Sequence, residues 1–297
     1  MPESSKWIVS VPPSIARAYQ DLYAAATQGK LEPQNGDLVK IEKDIHRTFP
    51  AFDTRLSSDC ENSMNRSGED DEVCQGVTDF IEDSNCVLLR QLLHAVCCYA
   101  PYVQGMNYIA AKLLLHSSDV STATNRLETS FILFMFLYKE CGVSGVFTGH
   151  GGSLRQNIAI FEHHIRRHLN DLWHYFQHVE FACTSFAMEW LVTLFITTHP
   201  QSVSSYAVSQ LFAGDSAAVY RVGIAALKHH EKTLLRKSLD ELQMGFRALM
   251  RTSHAPEVIR LAQLLVMDCD TNVKYIIHRK TSADRDALTP HARCTVM

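Results

Sequence analysis

A chain of 297 residues, 46% apolar and 20% charged, has an ordinary globular balance and suits one large domain or two modest ones. Its formal net charge of −4 argues against a nucleic-acid footprint, and no apolar run reaches the roughly 18 residues that a membrane helix needs. Nine cysteines, an odd count without C-x-x-C spacing, point to reduced thiols rather than a disulfide framework, and the N-terminus carries no signal-peptide pattern.

Val11-Pro12-Pro13-Ser14 opens a helical pattern with Ile15, Tyr19, Leu22 and Tyr23 on one side and Ser14 as the expected cap. Leu38, Ile41 and Ile45 then recur at i, i+3 and i+7, the apolar stripe of a short helix. Lys40, Asp44 and Arg47 fall on another face, with Asp44 and Arg47 one turn apart and able to meet. Pro50 cannot continue a helix, so Arg47 belongs at or near the C-terminal end. A guanidinium held by a carboxylate one turn back has a fixed pose, which a transition-state clamp requires. From 53 to about 79 Ser, Asp, Glu and Asn dominate, and a long mobile acidic loop is expected.

Leu88, Leu89, Leu92, Leu93 and Val96 repeat at helical spacing, and Pro101 ends that pattern. In Tyr102-Val-Gln104-Gly105-Met106-Asn107, Gly105 permits close backbone approach to a neighbour. Gln104 beside it is an uncharged donor and acceptor, able to orient a water. A helix is expected over 106–116, and 131–138, apolar all round, reads as a helix buried on most sides. Glycines cluster between Gly142 and Ser153 and separate two lobes. A long amphipathic pattern follows over 154–176. Next come an aromatic helix around Phe186, Trp190 and Leu194, a helix over 219–235, a capping box at Ser238-Leu-Asp-Glu241, and a last helix over 256–277. Strand-like alternation is missing, so the expected fold is all-α.

Ile41-x-x-Asp44-x-x-Arg47 followed by Tyr102-x-Gln104-Gly105 resembles the paired fingerprint of the TBC-domain family, the Rab GTPase-activating proteins. Thr48-Phe49-Pro50 and Met106-Asn107 extend the two matches, and the Trp190 helix resembles the family's third conserved block. The chain departs from the family pattern at Pro101, where Gly is usual, and in lacking a Trp-Asp pair ahead of Phe212-Ala-Gly214. The resemblance implies a two-lobed helical TBC domain. Its first lobe, 1–152, carries both motifs and the acidic loop at about 53–79; 153–297 forms the second lobe and a short polar tail.

The resemblance also implies acceleration of GTP hydrolysis by a Rab-family GTPase in its GTP form, and so a role in vesicle trafficking. Arg47 would be the arginine finger and Gln104 the glutamine finger. Asp44 would position Arg47, Tyr102 and Gly105 would shape the Gln104 loop, and Thr48 and Asn107 would give local support. GTP and Mg²⁺ belong to the partner, so no cofactor or metal of the chain's own is expected. The chain would be an activator rather than a stand-alone enzyme, cytoplasmic and peripheral on endomembranes. The alternative is a non-catalytic Rab-binding effector or scaffold on the same fold, ranked second because both finger residues are present.

His163, His164 and His168, and the pair His229-His230, are expected on solvated helix faces, because no third ligand or HExxH pattern accompanies them. The Gly-rich run 148–153 lacks the lysine and preceding strand of a P-loop. Cys97-Cys98 fits a core helix better than a reactive thiol. With Met297 as the natural end, Cys294-Thr-Val-Met297 fits the C-a-a-X prenylation pattern, and a single prenyl chain gives reversible membrane attachment.

Overall fold

A computed structural model describes residues 7, 10–33, 35–49, 52, 71–118, 122–147 and 152–267. Thirteen helices account for most of them, and no strand occurs among the described residues. In chain order they are α1 (Pro13–Thr27), α2 (Asn35–Thr48), α3 (Asp71–Cys97), α4 (Met106–His116), α5 (Ala123–Lys139), α6 (Ser144–Phe147) and α7 (Gly152–His168). They continue as α8 (Asn170–His178), α9 (Thr184–Thr193), α10 (Gln201–Phe212), α11 (Ala218–Leu234), α12 (Leu239–Arg251) and α13 (Ala255–Leu264). Among the described residues no helix is long and apolar enough to cross a membrane.

The helices form two groups, each around one central helix. In the first, α5 packs against α1, α3 and α4, and every residue from Phe131 to Tyr138 is buried. A helix apolar on all sides needs neighbours on all sides, and α5 has them. In the second group α11 takes that place, against α7, α10, α12 and α13. There α7 and α11 cross closely at Gly223, where a Cβ would stand 2.5 Å from Phe161 Cζ. The Phe161 ring is held in turn by Phe186, Trp190 and Tyr220, with centroids 6.0–6.3 Å away. Aromatic contacts also join the groups. Trp7 stacks on His116 of α4 and on Phe212 of α10 and donates from Nε1 to Ser209 Oγ at 2.8 Å. α4 meets α9 directly.

Local signals explain several helix ends. Thr122 caps α5, accepting the Asn125 N–H at 3.2 Å. Ser238 and Glu241 close the expected capping box on α12, at 2.8 and 3.4 Å. Other expectations are corrected. Pro12, not Ser14, stands at the cap position of α1, and no side chain caps that end. The loop expected over 53–79 gives way to helix from Asp71, and 53–70 lie outside the described residues. Val73, Val77, Phe80 and Ile81 recur at helical spacing there, a signal that the acidic composition obscured. The pattern over 154–176 is two helices, α7 and α8, broken at the buried Leu169 (φ −137°, ψ 55°). The last helix ends at Leu264 rather than Ile277, with 265–267 non-helical. Within the Gly-rich stretch, Ser144–Phe147 forms α6, and 148–151 lie outside the described residues, as does Cys294.

The histidines divide. His163 is exposed, but His164 packs at a tilt against the Tyr220 ring, 5.5 Å away, and burial pushes its imidazole down to about 4. His230 is buried with Nε2 2.9 Å from Ser253 Oγ and is likewise lowered to about 4 by burial. Both face inward from their helices, so the solvated-face reading fails for them. Burial raises the Cys97 thiol, in keeping with a core position.

Candidate functional site

The residues singled out in the two motifs converge where the C-terminal end of α2 meets the loop leading into α4. Ile41 and Ile45 are fully buried, which fixes the rotation of α2 and sends Arg47 outward. Arg47 lies one residue before the end of the helix, with its side chain 53% exposed. Its Nη2 pairs with Asp44 Oδ1, and the Asp44 side chain is only 5% exposed. A carboxylate that deep needs further partners. It has one in the Tyr102 hydroxyl, which donates to Asp44 Oδ2 at 2.7 Å. Burial and then the Asp44 hydrogen bond raise the Tyr102 phenol well above its ordinary range, so it stays a donor at any working pH.

A second set of bonds runs parallel to the first. Thr48 Oγ1 donates to the Asp44 carbonyl at 2.6 Å and accepts from Asn107 Nδ2 at 2.8 Å. Asn107 Oδ1 accepts the Gly105 N–H at 3.1 Å. That N–H belongs to the peptide joining Gln104 to Gly105, so the backbone of Gln104 is tied to the last turn of α2. Thr48 and Asn107 are fully buried, whereas Gln104 is exposed.

The loop needs glycine at 105. Its φ is +110°, and a Cβ there would lie 2.3 Å from Val192 Cγ1 and 3.3 Å from the Val192 carbonyl oxygen. The close approach expected of Gly105 is thus made to α9. Met106 Sδ accepts the Val103 N–H at 3.2 Å and tightens the same turn.

Arg47, Asp44, Thr48, Tyr102, Gln104, Gly105 and Asn107 therefore form one contiguous assembly, with Arg47 and Gln104 as its exposed members. Sequence reasoning missed two residues. Asp37, buried one heptad before Asp44, accepts the Tyr102 N–H at 3.1 Å and pairs with Lys40 at 2.9 Å. Its place on the Asp44 face was a usable signal. Val192 had none, since only the folded chain brings it to Gly105. Among the described residues no cluster of three or more His, Cys, Asp or Glu could hold a metal ion.

Chemically, the assembly presents a guanidinium held by Asp44 and an exposed neutral amide whose backbone is tied to the same buried hydrogen-bonded support. Such a pair suits a phosphoryl group brought from outside, the cation facing its oxygens and the amide facing water.

The sequence profile of the Rab-GTPase-TBC domain family matches residues 73–235, more than half of the chain. Gln104 lies inside that stretch and Arg47 before it. Curated relatives include the GTPase activating protein Gyp51 of Schizosaccharomyces pombe, 28% identical over 167 residues, covering 56% of this chain and 15% of that protein. The human ecotropic viral integration site 5 protein homolog is 22% identical over 237 residues, 77% of this chain and 26% of that one. The chain thus spans about a quarter or less of either relative's length. In fold it is similar to the crystal structure of the Chlamydomonas flagellar RabGAP TBC domain, with a TM-score of 0.53, 20% identity, and coverage of 88% of this chain and 83% of that one.

Proposed function

Because the chain belongs to the Rab-GTPase-TBC domain family, we propose that it accelerates GTP hydrolysis on a Rab-family GTPase in its GTP form, with Arg47 and Gln104 supplied in trans. The observation that carries the reading is the double tie between the motifs: Asp44 to Tyr102, and Thr48 through Asn107 to the Gly105 N–H. It holds an exposed cation and an exposed amide on a single support.

A small GTPase holds GTP and Mg²⁺ itself but hydrolyses slowly, because charge growing on the transferred phosphoryl group is incompletely neutralised. Arg47, pre-aligned by Asp44, supplies that neutralisation. Gln104 offers a carbonyl to accept from the attacking water and an N–H₂ to donate to the phosphoryl oxygens. An arginine provided in trans is worth roughly 10³ to 10⁵ in rate in such systems. The setting is the cytosolic face of trafficking membranes, where the chain would shorten the lifetime of the GTP-bound partner.

The test is GTP hydrolysis by a panel of Rab proteins with wild type, Arg47→Ala and Gln104→Ala side by side. Stimulation of one or a few Rabs, lost in both variants, is the expected result. Equal binding of a GTP-loaded Rab by all three proteins, without stimulation, would replace catalysis by the effector reading.

A further inference from the structure

Resting on that reading, we propose that Val192 of α9 is a positioning residue for Gln104, setting through Gly105 where the glutamine amide stands. Gly105 is gripped from two sides. Its N–H is held by Asn107 Oδ1 at 3.1 Å, and its Cα hydrogens face Val192 so closely that a Cβ would come within 2.3 Å of Cγ1. Gln104 is therefore the last residue before a peptide unit wedged between α2's support and α9. The hydrogen bond fixes one direction of the loop, and the Val192 side chain blocks retreat along the other.

An abutment is useful only if it is itself fixed, and Val192 is. α9 ends one residue later, and Leu194 (φ 48°) and Phe195 (φ 65°) then adopt two successive left-handed conformations. Non-glycine residues hold such geometry only where the surroundings over-determine it. Here Leu194, Phe195 and Ile196 are all buried, and the Leu194 and Phe195 N–H groups both return to the Trp190 carbonyl. Thr193 Oγ1 also donates back to the Glu189 carbonyl at 2.8 Å. The end of α9 is thus closed by its own hydrogen bonds, and the helix packs on α7 of the second helical group, with Trp190 6.0 Å from the Phe161 ring, while the Val192 side chain meets Gly105 ahead of α4. The glutamine is placed by both halves of the chain; Arg47 is placed by the first alone.

The experiment compares wild type, Val192→Ala and the isosteric Val192→Thr in single-turnover GTP hydrolysis on a responsive Rab. Affinity for the same Rab loaded with a non-hydrolysable GTP analogue, and amide exchange at Gly105, are measured alongside. Val192→Ala should lower the hydrolysis rate about tenfold, since misplacing a catalytic group by about 1 Å can cost up to about 10²-fold. Affinity should stay within about twofold, because the support of Arg47 is untouched, and Gly105 should exchange faster. Val192→Thr, which keeps the branched shape, should restore both rate and protection. Loss of affinity and rate together in Val192→Ala, or unchanged rate with unchanged Gly105 exchange, would overturn the assignment. Failure of the functional reading looks different: wild type and Arg47→Ala would then hydrolyse alike.

Discussion

Thr48→Val isolates the hydrogen bonding that joins the two motifs. The substitution keeps the side-chain shape, so it opens no cavity, and removes only the hydroxyl. That hydroxyl donates to the Asp44 carbonyl at 2.6 Å and accepts from Asn107 Nδ2 at 2.8 Å. The first loss is small, because the carbonyl sits in a helix and keeps its helical environment. The second is larger: Asn107 is fully buried, and its amide donor loses this acceptor where water is excluded. An orphaned buried donor costs about 1–3 kcal/mol, and a lost neutral hydrogen bond about 1 kcal/mol, giving about 2–4 kcal/mol in all. For a chain of this size, about 2–4 °C per kcal/mol translates that into a Tm lower by roughly 4–16 °C. Asn107 also holds the Gly105 N–H, so the Gln104 loop loosens and GTP hydrolysis on a responsive Rab should fall about tenfold. Urea unfolding followed by circular dichroism and a single-turnover hydrolysis assay check the two halves. A stability change below about 0.5 kcal/mol with an unchanged rate would refute the argument, because it would mean that Asn107 finds another acceptor at no cost.

Gly223→Ala places a methyl carbon 2.5 Å from Phe161 Cζ and 2.7 Å from Cε2. The ring is hemmed in by Phe186, Trp190 and Tyr220, so α7 and α11 must separate, at about 1–3 kcal/mol; an unshifted urea midpoint would show that the ring yields freely. Acid should destabilise the fold through His164 and His230. Their folded-state values of about 4 lie below the unfolded value near 6.5, so the unfolded chain binds the extra protons first. Their contribution is complete above about pH 6.5 and is lost as pH falls from there to about 4, on the order of 1–2 kcal/mol for each after allowance for solvent screening. His230→Gln, which can still meet Ser253, should flatten that slope in urea midpoints measured from pH 7 to 4; an unchanged slope would assign the acid response elsewhere.

Much of this site was legible because its residues act over one helical turn. Ile41 and Ile45 fix the rotation of α2, and that rotation places Asp44 below Arg47 without help from the rest of the chain. Gly105 announced a close approach, and Ser238 with Glu241 announced a helix start, since both are local backbone requirements. The features that escaped are those decided at long range. Val192 carries no pattern of its own, and its importance comes from what the folded chain lays against it. His230 looks solvated in sequence beside His229 and Lys228, yet the crossing of α11 with the 250s turns it inward onto Ser253. The beginning of α3 was lost to composition: a run of Glu and Asp suggested disorder, although the apolar residues within it kept a helical period.

Tyr102 accepts restraint from α2 at two points, through its backbone N–H at Asp37 and through its hydroxyl at Asp44. Two pins on one body remove rotation as well as translation, so α2 can neither roll nor slide past the loop without breaking both bonds. Arg47 and Gln104, though distant in sequence, thereby share one set of rigid-body degrees of freedom. A docking partner meets the spacing between the two backbone positions as a constant of the surface, and has only to order the side-chain tips when it arrives.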